Sequence, residues 1–291
     1  MRQTKKSADR RAFLQLLCAA PAVALETTAA QAQPAAPLGH RFYEVVGHRI
    51  AEHVKASRLA ILPLGSVEYH GPSGPTFTDS LLAVGLADRL GPRLKASVFP
   101  VVSFTHCPAH TAGFQGSISV RPETVTMYLE DILRGIHGTG FRRIFVLNGH
   151  NANSGPAQGA ISQVTTEFPD CQVLIANWWE TLTPALLENL KIFTSGNGGR
   201  GHGGPLEMSA TAAFAPSQVE SGAAPDLPAI ERMADFPHYL EKREGRGWPG
   251  YSGKLSEISR ERGERLVKIA EDKLAALVEK WLQDQSRPGS W

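Results

Sequence analysis

The chain has 291 residues, 42% of them hydrophobic and 20% charged, which suits one large α/β domain with a full core. Its formal charge of +2 comes from the start: residues 1–32 hold five Lys/Arg and two Asp/Glu, leaving 25 basic against 26 acidic side chains beyond them. The remainder therefore carries a charge near −1 and no Lys/Arg run, which argues against nucleic acid or an anionic membrane as partner.

Arg10-Arg11-Ala12-Phe13-Leu14 follows a basic start and opens an apolar stretch from Leu14 to Leu25, and Ala30-Gln31-Ala32 offers the small residues a signal peptidase prefers. Residues 1–32 read as a twin-arginine signal peptide, with a mature domain of residues 33–291 in the periplasm or outside the cell. The apolar stretch is too short and too alanine-rich to span a bilayer, and nothing later is long enough, so no membrane association is expected after cleavage. Leu17 stands before Cys18 where a lipid-attachment signal needs a small residue. Cys107 and Cys171 remain, as one bridge or as two separate buried thiols.

Arg58-Leu59-Ala60-Ile61-Leu62-Pro63-Leu64 is a short continuous apolar run ending at Gly65, as expected of a strand buried on both faces. Similar runs lie at Ser97 to Val102, Arg143 to Leu147 and Gln172 to Ala176. Between them, Asp79 to Leu90, Pro122 to Ile136 and Pro156 to Phe168 carry helical signals. Alternation of this kind gives an α/β fold whose mostly parallel sheet has helices on both faces and binds ligands beyond the strands' carboxyl ends. Glu220 to Gly253, rich in Pro, Gly and charge, reads as a loop over the site or as a subunit contact. From Leu266 onward the apolar periodicity makes a helix that packs on the sheet.

Three polar motifs adjoin these apolar runs. Glu68 and His70 are one residue apart, so in an extended segment their side chains leave on the same side. Asp79 follows at a helix start, where Thr78-Asp79 could cap and still offer a carboxylate. His150 comes just after the third strand, with Gly149 allowing a sharp turn. Four such residues beside strand ends would be buried charges without partners unless a divalent cation joined them. A carboxylate shared between two ions would hold them roughly 3.5–4 Å apart, and Asp79 is the candidate. His106, His110, His137 and His238 stand alone and read as packed or surface residues.

In order along the chain, Leu64-Gly65-Ser66-Val67-Glu68-Tyr69-His70-Gly71-Pro72, Thr78-Asp79, Phe114-Gln115-Gly116-Ser117-Ile118-Ser119, Asn148-Gly149-His150-Asn151-Ala152-Asn153 and His202-Gly203-Gly204-Pro205-Leu206-Glu207-Met208-Ser209 resemble the successive motifs of the creatininase (creatinine amidohydrolase) family. The resemblance implies a three-layer α/β/α sandwich, two divalent metal ions (zinc, manganese or iron), hydrolysis of a small amide, and a homo-oligomer, often a hexamer. Carried over by position, Glu68, Asp79 and His150 would hold one metal and His70 and Asp79 the other. In creatininase a glutamate two residues after the motif histidine completes the second metal; here that place is Ala152, and Glu207 is the expected substitute. His202 is then the proton shuttle or substrate contact. Ser117 lies in the family's substrate-side loop, while Trp178 and Trp179 would either stack on a flat substrate or pack as an aromatic pair. Ala152 also keeps open a binding or scaffold protein that retains the fold without turnover. A phosphoesterase fits less well, because no phosphate-cradling glycine loop is evident.

Overall fold

The computed structural model describes residues 40–57, 59–194, 196–229 and 247–284. The signal-peptide reading and His238 lie outside them. Four strands, β1 (Leu59–Leu64), β2 (Ser97–Val98), β3 (Arg143–Asn148) and β4 (Gln172–Asn177), form a sheet in the order β2-β1-β3-β4 with every pairing parallel. The helices are α1 (Ile50–Ala56), α2 (Thr78–Leu94), α3 (Pro122–Thr139), α4 (Ser154–Glu167), α5 (Pro184–Asn189), α6 (Pro205–Phe214) and α7 (Arg260–Gln283). No described helix is long and apolar enough to cross a membrane.

Every residue of β1 is buried, so the strand has no polar face, and its two-residue alternation serves two cores instead. Leu59 and Ile61 join Phe145 and Leu147 against α2, α6 and α7, through Leu82, Leu86, Ala210, Leu266 and Leu274. Ala60, Leu62 and Leu64 face the other way, onto Leu129 and Leu133 of α3 and Ala160 and Val164 of α4. Helices thus cover both faces, giving the three-layer α/β/α sandwich. Burying a side chain such as Ile61 or Leu62 completely stabilises by roughly 1.5–3 kcal/mol, so the central strands contribute most where both cores meet.

β2 is shorter than the run Ser97 to Val102. Phe99 still donates to Ile61 O (2.9 Å), but Pro100 has no N–H, and the chain returns to β1 only through an isolated bridge between Val102 and Leu64. Cys107 lies beside the carboxyl end of β1, on Val67 O, while Cys171 precedes β4 at the opposite end of the sheet. Both are free buried thiols, so the bridged alternative falls.

Candidate metal centre

Parallel pairing puts the ends of β1 and β3 on one edge, and the segments leaving them carry the polar motifs. After β1 the chain is held open by Glu68 N–H on Thr76 O (2.8 Å), Tyr69 N–H on Ser117 Oγ (2.9 Å) and Ile118 N–H on Val67 O (2.9 Å). Asp79 enters from the first turn of α2. It does not cap that helix: Phe77 is the N-cap residue, Thr78 Oγ1 donates to Pro75 O (2.7 Å), and the Asp79 carboxylate turns inward to accept from Ser66 Oγ (2.6 Å). The positive end of α2 favours a carboxylate there.

His150 follows β3 through Gly149, which is needed for closeness rather than for a special turn, since a Cβ at that position would sit 2.3 Å from Asp79 O. Glu207 is the third residue of α6, and its Oε2 accepts from Gly203 N–H (2.8 Å). Gly203 itself has φ +59°, and a Cβ on it would be 2.6 Å from His70 O. Only glycine lets the His202 turn approach His70 this closely.

These groups converge on one point. His150 Nδ1 is 2.8 Å from Asp79 Oδ2 and 3.2 Å from Glu68 Oε2, and His70 Nε2 is 3.2 Å from Asp79 Oδ1 and 3.9 Å from Glu207 Oε2. His202 Nδ1 stands 3.8 Å from Glu68 Oε2. The outer nitrogen of each imidazole meets a backbone carbonyl: His70 Nδ1 on Glu68 O (2.9 Å), His150 Nε2 on His106 O (2.9 Å) and His202 Nε2 on Tyr69 O (2.7 Å). A carbonyl only accepts, so each outer nitrogen carries a hydrogen and each inner nitrogen is left to bind. Ligand atoms of Glu68, Asp79 and His150 lie within 4.8 Å of one another, as do those of His70, Asp79 and Glu207 and those of Glu68, His70 and His202. Carboxylate oxygen and imidazole nitrogen are the donors that suit zinc, manganese or iron, so the residues present fit a divalent cation.

Burial by itself would neutralise all these groups, and their mutual charges decide otherwise. Burial raises the Glu68 carboxyl, but His150, His202 and His70 outweigh it and hold it at about 2. Asp79 is likewise held well below the usual carboxylate range, with His70 and His150 overcoming burial. Burial lowers His70, yet Asp79, Glu207 and Glu68 lift it to about 10, and Glu68 and Asp79 lift His150 well above its ordinary value. His202 goes the other way, pushed down to about 4 by burial and by its neighbour His70. Burial, opposed by His70 and reinforced by Asp79, brings Glu207 up to about 7. Protons on His70 and His150 balance the carboxylates, and these are the protons a bound cation replaces.

Other sequence candidates lie elsewhere. Trp178 is fully buried in the core with Leu182 and Leu187, and Trp179, partly buried, packs against the same cluster. Ser117 spends its hydroxyl on the Tyr69 N–H, bracing the Glu68–His70 segment. Ala152 sits in the 3-10 turn Asn151–Asn153 after His150 and offers no donor. His137 pairs with Asp170 (2.9 Å) far from the centre, and His106 contributes only its carbonyl. Sequence reasoning missed three neighbours: Thr111, whose hydroxyl donates to Glu68 Oε1; Ser66 on Asp79; and Trp248, whose ring centroid is 5.9 Å from that of His202.

A family model described as creatinine amidohydrolase matches residues 44–278, spanning the sheet and every ligand candidate. The chain belongs to the creatininase family. Among creatininase relatives, the creatinine amidohydrolase of Pseudomonas putida is 27% identical over 236 residues, covering 76% of this chain and 88% of that protein. The mycofactocin precursor peptide peptidase of Mycobacterium tuberculosis is 29% identical over 195 residues, 62% of this chain and 70% of its own. The 3-dehydro-scyllo-inosose hydrolase of Thermotoga maritima is 33% identical over 114 residues, 39% of this chain and 37% of that protein, so the match spans little more than a third of its length. A crystal structure of creatinine amidohydrolase superposes with TM-score 0.73 at 25% identity, over 85% of this chain and 99% of that one. Solved creatininases of zinc and manganese type share the same fold at TM-scores of 0.73 and 0.72. The chain is a hydrolase of the creatininase type.

Proposed function

We propose that the protein is an exported, metal-dependent amidohydrolase that opens a small cyclic or linear amide with water at a centre for two divalent cations, zinc, manganese or iron. The observation that carries this reading is the position of Asp79: its two oxygens face opposite ligand groups, His150 with Glu68 on one side and His70 with Glu207 on the other. Glu68, Asp79 and His150 would hold one cation, and His70, Asp79 and Glu207 the other, so Glu207 supplies the carboxylate missing at Ala152. Cations held there supply Lewis acidity toward a carbonyl oxygen and bring a water's pKa toward neutrality.

His202 does the proton work. Its Nε2–H is fixed on Tyr69 O, so Nδ1 faces the centre as the free base. Nδ1 accepts the proton released when water attacks and passes it to the departing nitrogen. The amide substrate is a small molecule, as the relation to creatinine amidohydrolase supports. The paired arginines and apolar stretch support export by the twin-arginine route, checked by N-terminal sequencing of protein recovered from the periplasm. Exposed Phe104, Ile118, Met127 and Tyr128 support a homo-oligomer, hexameric as in the family resemblance, which light scattering tests.

Elemental analysis of the purified protein beside Glu207→Ala tests the centre. We expect about two metals per subunit in the parent and about one in the variant, with loss of amide hydrolysis. Ala152 is the feature that favours a non-catalytic binding or scaffold protein; one metal or none in the parent, with no turnover across an amide panel, would establish that reading instead.

A further inference from the structure

Outside the metal-capable groups, the structure gathers a set of flat rings. His202 lies against His70 on one side (centroids 4.4 Å apart) and against Trp248 on the other (5.9 Å). Trp248 also meets His110 at 5.7 Å and Phe114 at 5.9 Å, edge to face, and Phe114 stacks on Tyr69 at 4.7 Å with planes 10° apart. Trp248 is only half-buried.

Its position is set by the same backbone that sets His202. Ser252 N–H donates to His202 O (3.1 Å), Leu227 N–H to Gly253 O (3.0 Å) and Gly253 N–H to Pro228 O (3.2 Å), while Tyr251 Oη donates to Pro225 O (2.8 Å). At Gly250, φ +80°, a Cβ would lie 2.6 Å from the Tyr69 ring, so the 247–253 turn presses directly on the Tyr69–Phe114 stack. A group extending from the ligand cluster past His202 would meet Trp248, with His110 and Phe114 against it. Among the described residues, the titratable groups in ring contact with this wall are His110, His202 and Tyr69.

We propose that Trp248, with Phe114 and His110, forms a subsite for the flat, conjugated part of the substrate, selecting aryl or heteroaryl amides over purely aliphatic ones. A wall of rings rewards a planar π-system by offset or edge contacts and gives an alkyl group only area burial. The inference rests on the reading of the neighbouring cluster as a hydrolytic metal centre.

Acetohydroxamate and benzohydroxamate carry the same metal-chelating head and differ in the ring, so their relative affinity isolates the wall from the centre. Titrating the zinc-loaded protein with each by calorimetry should show benzohydroxamate binding about tenfold tighter. Trp248→Leu, which keeps apolar bulk without a flat face, should reduce that ratio to about two, and Trp248→Phe should keep most of it; metal content at the parental level certifies both variants as folded. A ratio that survives unchanged in Trp248→Leu, or that is near one in the parent, overturns the subsite while leaving the metal centre standing. A parent that takes up no zinc refutes the metal reading and the subsite with it, and a loaded parent that binds neither hydroxamate overturns the subsite.

Discussion

Each imidazole of the centre is oriented through its far nitrogen, and Thr111 does the same for a carboxylate. Its fully buried hydroxyl donates to Glu68 Oε1 and lies 3.3 Å from Pro108 O, which leaves Oε2 as the oxygen turned toward His150 (3.2 Å), His202 (3.8 Å) and His70 (3.9 Å). Thr111→Val keeps the shape and removes the donor, so Glu68 loses its anchor. Removing an outer hydrogen-bond partner of a metal ligand typically costs 10–100-fold in affinity, and we expect a loss of about that size at the Glu68–Asp79–His150 position, restored by Thr111→Ser. Competition with a fluorescent chelator reads it directly; a Val variant that holds metal as tightly as the parent would show that Thr111 merely fills space. The sequence singles out Glu68, His70, Asp79 and His150 because ionisable residues beside apolar strand ends demand a partner, whereas Glu207, on α6, enters only through the family resemblance. Thr111 is not singled out, being one hydroxyl in a loop whose course depends on the Ser117 and Ser119 latches. Trp248 was hidden for a similar reason: only the folded 247–253 turn brings it to His202.

At the scale of elements, β1 and β3, buried almost throughout, announce themselves as unbroken apolar runs, and β4 carries the same kind of run although it is only partly buried, so all three are read nearly to the residue. Helices α2, α3, α4 and α7 showed too, although α7 starts at Arg260 rather than near Leu266, because its first turn is polar and Ser259 Oγ caps the Arg262 N–H. α6 gave no period to read, since Leu206, Met208, Ser209, Ala210 and Thr211 are buried on all sides. The junction of β3 with α2 is a close backbone contact, and Gly149→Ala tests it. A methyl 2.3 Å from Asp79 O has no flexible atom to displace, so the first turn of α2 must move. Overpacking of this kind costs on the order of 1–3 kcal/mol, and because Asp79 moves relative to His150, metal content should fall with stability; urea unfolding and elemental analysis check the two together. α1 offers a pH test. His53, 3% exposed, bonds Ser97 Oγ through Nε2 (2.6 Å), and burial, helped by Arg49, holds its pKa below the ordinary value. The unfolded chain therefore takes up the proton first, so this contribution is complete above about pH 6.5 and is lost as pH falls below it. His53→Gln should show a smaller drop in melting temperature than the parent between about pH 7.5 and 5.5; equal drops would place the acid sensitivity elsewhere.

For the molecule as a whole, the question is whether the fold depends on the cations. Both cores run along the middle of the sheet, from Leu59 and Ala60 through Phe145 and Val146, and neither includes a ligand candidate. The cluster sits past the strand ends and is balanced internally, with His70 and His150 protonated opposite Glu68 and Asp79. A buried set of like charges would unfold the edge, whereas paired ones leave it standing. Chelation should therefore leave a cooperatively folded protein that is less stable than the loaded form. At free metal 100 times the dissociation constant, each occupied site adds about 2.7 kcal/mol, which for a domain of this size is a rise of roughly 5–10 °C in melting temperature per site and about twice that for both. Glu207→Ala, keeping the Glu68–Asp79–His150 group, should retain about half of that rise, since the two cation positions contribute separately. Calorimetric scans with and without chelator decide it: identical melting in both would mean the cluster binds no cation, and loss of the transition on chelation would mean that the metals, rather than the two cores, hold the sheet edge together.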